Sequence, residues 1–148
     1  MNDHLVVDAN VVAKLYLRDE QWVDRADNVF DSFGRGDIEI VAPRLLVYEV
    51  PAAISKALSD GRVRESDALD ALRQFRQLPI PLVEETPVLL EEACRLANRY
   101  HCTLYDAIYL QLAGDLNWIF VTADDKLYRR VRTQAPYVVL LSTFRKAI

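Results

Sequence analysis

The sequence predicts an α/β fold: one domain built on a central, mainly parallel five-stranded sheet flanked by helices. Three observations predict it. Apolar runs of strand length recur at residues 5–7, 38–42, 80–83, 119–121 and 137–141, rich in Val and Ile and with little alternation. Strands read this way when both of their faces are covered. Helical patterns fill the intervals, which implies right-handed crossovers between parallel strands. The length of 148 residues suits one sizeable core.

The elements follow in order. Leu5-Val6-Val7 stops abruptly on Asp8, and Ala9-Asn10 leads into a helical pattern over 10–18. A longer helix is predicted over 22–33. The 38–42 strand alternates slightly at Glu39 and is expected to sit less deeply. Residues 43–58 read as a mostly apolar helix. Residues 66–77 repeat Leu69, Leu72 and Phe75 at helical spacing, and Ser59-Asp60-Gly61 separates these two helices. Past the 80–83 strand, helices are predicted over 87–100, 104–116 and 126–133, with the last two strands between and after them. No internal repeat or low-complexity tract is present.

Composition narrows the class. Apolar residues make up 51% and charged residues 27%, an ordinary globular mix. Four glycines and six prolines leave little material for linkers. No uncharged window reaches the length of a membrane span, and Asp3 and Asp8 interrupt the only candidate for a targeting signal. A cytoplasmic location is therefore expected. Cys94 and Cys102 lack zinc-ligand spacing and read as small buried apolar groups. A net charge of -4 argues against a protein that simply coats nucleic acid. It is compatible with an enzyme that meets nucleic acid through bound cations.

In open α/β sheets, ligands bind outside the carboxyl ends of the strands. Four acids fall where that rule directs attention. Asp8 closes the first strand; it is either a helix cap or a ligand at the sheet edge. Asp124 follows Ile119-Phe120-Val121-Thr122-Ala123 and carries the same two readings. Asp106 stands three residues after Thr103, as in a capping box, yet apolar residues crowd it on both sides and turn it inward. Glu49 is the only charge between Arg44 and Lys56 and is expected to lie too far from a helix start to act as a cap. A carboxylate there costs several kcal/mol unless it is paired or coordinates a cation. If the four converge they repel one another, and Mg²⁺ or Mn²⁺ turns them into a hard-oxygen site. Phosphodiester hydrolysis is the chemistry that uses such all-carboxylate sites.

The stretches Val6-Val7-Asp8-Ala9-Asn10-Val11-Val12-Ala13-Lys14, Tyr48-Glu49-Val50, Tyr105-Asp106-Ala107-Ile108-Tyr109-Leu110 and Val121-Thr122-Ala123-Asp124 resemble PIN-domain proteins. They are most similar to the VapC toxins of toxin–antitoxin pairs. The resemblance covers essentially the whole chain, in order and at suitable spacing, and implies a single PIN-like domain over 1–148. It implies an endoribonuclease dependent on Mg²⁺ or Mn²⁺, with Asp8, Glu49, Asp106 and Asp124 holding the metals. Thr122 would support the site by hydrogen bonding, and Asn10 would orient ligands near Asp8; Asp125 is a further acid of this chain, either a first-turn acid favoured by the helix dipole or an assistant to or substitute for Asp124. The same resemblance implies a homodimer and a VapB-type antitoxin whose tail blocks the active-site groove. One departure is visible. Many relatives carry Asn three residues after the helix Glu, where this chain has Ala52 preceded by Pro51.

RNA approaching such a site needs positive charge. Lys14, Lys126, Arg129 and Arg130 are the candidate contacts, with a solvated helix face as the alternative for the last three. Two rival functions follow from the same residues. A haloacid-dehalogenase-like phosphatase also uses an Asp after its first strand, but wants a second Asp where Asn10 stands. A non-catalytic PIN-like module that binds RNA or a partner fits the Pro51 and Ala52 departure. A dinucleotide-binding enzyme is disfavoured, because no Gly-rich loop follows Val7.

Overall fold

The computed structural model describes residues 3–145. Five strands, β1 (Asp3–Val7), β2 (Ile38–Pro43), β3 (Leu82–Val83), β4 (Ile119–Thr122) and β5 (Val138–Leu140), form one sheet in the order β3-β2-β1-β4-β5. Every neighbouring pair is parallel. The expected parallel α/β architecture is therefore present. Strand order reverses between β1 and β4, which opens a crevice at their carboxyl ends.

Side chains alternate across the sheet and fill two cores. Leu5, Val7, Ile38, Ile40, Ala42 and Val121 face one layer. That layer holds α1 (Ala9–Val12), α2 (Val23–Gly34), α3 (Leu46–Ser59) and α4 (Glu65–Arg76). Val6, Phe120 and Val138 face the other. There α5 (Pro87–Tyr100), α6 (Leu104–Leu116) and α7 (Asp125–Val131) pack. The strands are non-alternating in sequence because both faces are covered. In α6, Ala107, Ile108, Tyr109, Leu110, Leu112 and Ala113 are all buried, so this helix is apolar nearly all round.

Local chemistry sets the ends. Thr86 caps α5 by accepting from the Leu89 N–H at 3.1 Å, with Pro87 at the first helical position. Thr103 caps α6 by accepting from the Asp106 N–H at 3.0 Å. His101 and Asn117 end α5 and α6 in the left-handed conformation.

Several boundaries differ from the sequence expectations. The first helix is one turn, continued by a 3₁₀ turn at Ala13–Leu15, rather than a helix over 10–18. The third helix starts at Leu46 because Pro43 still belongs to β2, paired with Val83. β3 covers only Leu82–Val83, since Pro81 has no N–H for a ladder and contributes only its carbonyl, to Ala42 N–H at 3.1 Å. Pro51 lies inside α3 without dividing it. Among the described residues no helix is long and apolar enough to cross a membrane.

Candidate active site

The carboxyl ends of β1 and β4 meet at the strand-order reversal, and their terminal residues build the floor of the site. The Asp8 N–H donates to the Val121 carbonyl at 2.9 Å, which extends the ladder by one residue and fixes Asp8 at the rim. Asp8 stands at the N-cap position of α1, yet its side chain makes no cap hydrogen bond. The capping alternative is thereby excluded, and the carboxylate is free to turn sideways. It accepts at Oδ2 from the Thr122 hydroxyl at 2.8 Å and from Asn10 Nδ2 at 3.3 Å.

Thr122 and Asn10 stitch the two strand ends together. Thr122 is fully buried. Its oxygen donates to Asp8 and accepts from the Asp124 N–H at 3.1 Å and from Asn10 Nδ2 at 3.4 Å. Asn10 Oδ1 in turn accepts from the Ala123 N–H at 3.0 Å. Replacing Thr122 by Val keeps the shape but strips this hub of its hydroxyl. The expected loss is about 1–3 kcal/mol of stability, read by chemical denaturation. Unchanged stability would show that the hub carries no load.

The other acids arrive on three different helices. Asp124 caps α7, accepting from the Leu127 N–H at 3.0 Å through Oδ1. Here the cap and the candidate ligand are one residue, with Oδ2 left over. Asp106 lies in the first turn of α6 and is half-buried. Its neighbours Leu104 and Tyr105 are exposed, so apolar residues do not enclose it on both sides as expected. Glu49 lies in the first turn of α3, nearer the helix start than expected. Glu85 satisfies the start of that helix instead, accepting from the Leu45 N–H at 2.7 Å. Among the described residues no cation pairs with Glu49, and its Oε1 is buried without a hydrogen-bond partner.

Burial pushes the Asp8 carboxyl up from 3.8 to about 7, with the charges of Asp106 and Glu49 adding to the rise and the Thr122 hydrogen bond opposing it. Burial also raises Glu49, with the nearby Tyr109 hydroxyl opposing and the Asp106 charge adding to the rise. Asp106 is raised by burial and by Asp124, against the opposing Thr103 hydrogen bond and Arg130 charge. Asp8, Glu49, Asp106 and Asp124 thus feel one another as a single cluster. Tyr109 sits beneath it; its apolar helical context reads as core, with base stacking as the alternative, and neither reading places its hydroxyl among the acids. Its hydroxyl is buried, unpartnered and within electrostatic reach of Asp8, Glu49 and Glu85. It lies close to Glu49 but forms no hydrogen bond of standard geometry with it, so each group keeps an unsatisfied polar atom.

Among the described residues no three His, Cys, Asp or Glu side chains are arranged to hold a metal ion. The donor chemistry nonetheless fits a hard divalent cation. It is all oxygen, it includes an orphaned carboxylate atom, and it carries mutual repulsion that a cation would relieve. Mg²⁺ characteristically takes one or two carboxylates and keeps several waters, so a closed cage of three ligands is not required.

The outlying candidates divide. Lys14 is buried and bonded to Glu20 Oε1 at 3.3 Å, which corrects its expected role as an RNA contact. Asp125 is turned to Arg129 in an ion pair along α7, rather than toward Asp124's cluster. Arg130 is exposed, donates to the His101 carbonyl and acts on Asp106. Lys126 is exposed.

Comparison with known proteins agrees with this architecture. Residues 5–132 match the PIN domain family. Ribonuclease VapC3 of Pyrobaculum aerophilum is 30% identical over 127 residues, spanning 83% of this chain and 91% of that protein. The crystal structure of PAE2754 from Pyrobaculum aerophilum has a TM-score of 0.66 at 25% identity, covering 97% of this chain and 94% of that one. A toxin–antitoxin complex from Klebsiella pneumoniae shares the fold, with a TM-score of 0.61 at 18% identity over 93% of this chain and 97% of that one. From the strand-end acid at position 8 to the helix after β4, the chain belongs to the PIN-domain family.

Proposed function

We propose that this protein is a metal-dependent endoribonuclease that hydrolyses RNA phosphodiester bonds, and that it is the toxin of a VapBC-type pair. The observation that carries this reading is the coupling of four acids from separate elements at the strand-order reversal. Likeness to a ribonuclease along most of both chains supports the substrate class, and the shared fold of a toxin–antitoxin complex supports a VapB-like antitoxin partner. Exposed Val88, Leu104 and Tyr105 on neighbouring helices α5 and α6 give apolar surface for a homodimer. Cytoplasmic RNA is the substrate pool, and the free thiols of Cys94, exposed rather than buried as expected, and of half-buried Cys102 suit that reducing compartment.

Asp8, Glu49, Asp106 and Asp124 would hold Mg²⁺ or Mn²⁺. When bound, such an ion makes water nucleophilic at neutral pH and neutralises the phosphate. The chain does the rest. Thr122 and Asn10 orient Asp8 by two hydrogen bonds to one oxygen, leaving Oδ1 for the site. Arg130 and Lys126 offset the acid charge at the mouth and draw the RNA backbone in. Asn10 cannot replace the acid that a haloacid-dehalogenase-like phosphatase needs. Its amide is not titratable, and both of its ends are engaged.

The test is RNA cleavage by purified, partner-free protein. Cleavage is expected in Mn²⁺, its loss in EDTA, and its return when Mn²⁺ is restored in excess. Cleavage undiminished by EDTA would remove the metal from the mechanism. No cleavage under any metal would favour the non-catalytic module suggested by Pro51 and Ala52.

A further inference from the structure

At the β4–α7 turn lies a cavity of about 240 Å³ whose lining includes Gln21, Trp22, Ala123, Asp125, Arg129 and Ser142. Ala123 connects the cavity to the acid cluster along the chain. Its N–H is held by Asn10, and its chain neighbours Thr122 and Asp124 belong to the cluster. Along the chain the cavity is thus one residue from the candidate cleavage site.

Trp22 is unusual in three respects. Its backbone is left-handed, with φ of 66°, a region that bulky L residues rarely adopt. Its carbonyl is pinned there by the N–H groups of Arg25 and Ala26, both at 3.1 Å, at the start of α2. The residue is 47% exposed, so burial does not account for the strain. Across the cavity, Asp125 and Arg129 sit one turn apart on α7 as an exposed ion pair. Such a pair contributes little to stability. It does hold a carboxylate and a guanidinium side by side in the lining of the cavity that Trp22 also lines.

We propose that this cavity receives a guanine base of the RNA strand being cut, stacked on Trp22 and read by Asp125 and Arg129. The Watson–Crick edge of guanine offers two adjacent N–H donors and a carbonyl acceptor. A carboxylate takes the donors and the neighbouring guanidinium supplies the acceptor's partner. Cytosine, adenine and uracil do not present two adjacent donors on that edge. Stacking on an aromatic ring supplies affinity without base preference; the ion pair supplies the preference. The proposal rests on the ribonuclease reading of the neighbouring site.

Two measurements test it separately from that reading. The first is binding without cutting. The full chain carrying Asp8→Asn and Trp118→Phe leaves Trp22 as its one tryptophan, and its fluorescence is titrated with oligouridylate hexamers holding a single central G or A. Quenching at roughly tenfold lower concentration of the G hexamer is expected, and Asp125→Asn is expected to erase the difference. Equal quenching by both hexamers overturns the guanine pocket. The second is cleavage by the active protein. Trp22→Ala is expected to raise KM by about tenfold, in the range of one lost stacking contact, while Trp22→Phe recovers most of it. A KM unchanged in Trp22→Ala, with unchanged cut-site preference, overturns the pocket while leaving the ribonuclease reading intact. Guanine-selective quenching in a protein that cuts no RNA would do the reverse.

Discussion

Asp8→Asn is expected to lower metal-dependent RNA cleavage by at least about a thousandfold in single-turnover assays, with the fold unchanged by circular dichroism. Losing a residue that merely orients a metal ligand typically costs roughly 10- to 100-fold; Asp8 is expected to exceed that because it would be a ligand itself. It is the most buried of the four acids, and it receives both orienting hydrogen bonds. Asn keeps the size and an accepting oxygen but withdraws the charge that a hard cation requires. Glu49→Gln, Asp106→Asn and Asp124→Asn are expected to fail in the same assay. Asp67→Asn, which breaks only an exposed ion pair with Arg64, is the matched control expected to cut normally. Parental rates in Mn²⁺ from all four cluster variants would dissolve the site assignment.

The second large effect is on stability, and it has the opposite sign. Asp8 titrates near 3.8 when exposed and near 7 when buried in the fold. Between those values the folded chain holds a proton that the unfolded chain has released. The stabilising contribution of Asp8 is therefore complete below about 3.8 and is lost as pH rises through about 7. The gap corresponds to at most about 4 kcal/mol. Burial moves Glu49 and Asp106 the same way, which steepens the slope. In EDTA at pH 8, Asp8→Asn is accordingly expected to melt higher than the parent by roughly 5–10 °C, given about 2–4 °C per kcal/mol for a domain of this size. The difference should shrink toward pH 4. Asp19 and Asp27, held low by Arg62 and Arg18, lose stability as pH falls, but they do so equally in both proteins and cancel in the comparison. Mn²⁺ should raise the melting temperature of the parent at pH 8 far more than that of the variant. A variant that melts at or below the parent at pH 8 would mean that the Asp8 charge is not under strain.

These two effects, loss of activity with gain of stability, bear on what could be read in advance. The strands announced themselves because a parallel sheet covers both faces, so Leu5–Val7 and Ile119–Val121 carry no alternation. Three of the four acids were legible by position, at strand ends or a helix start. Glu49 was legible by the cost of a lone charge in an apolar stretch. Glu49 lies within the first turn of α3, closer to the helix start than its sequence context suggests, while Glu85, from a distant segment, satisfies that start.

What stayed hidden depended on contacts between remote segments. Lys14 has the composition of a surface residue, yet the 3₁₀ turn buries it against Glu20. Tyr109 reads as core, and only the arrangement of α3 and α6 sets its hydroxyl under the acids. Asp125 reads as a spare ligand, but the helical period turns it to Arg129. The sequence by itself determined the elements, the two-sided burial and the identity of the acids, because periodicity and local charge cost are written in neighbouring residues. Tertiary structure alone decided the strand order, the meeting of β1 with β4, and hence which oxygens share hydrogen bonds or repel. Those interactions join residues more than a hundred positions apart, and no local pattern encodes them.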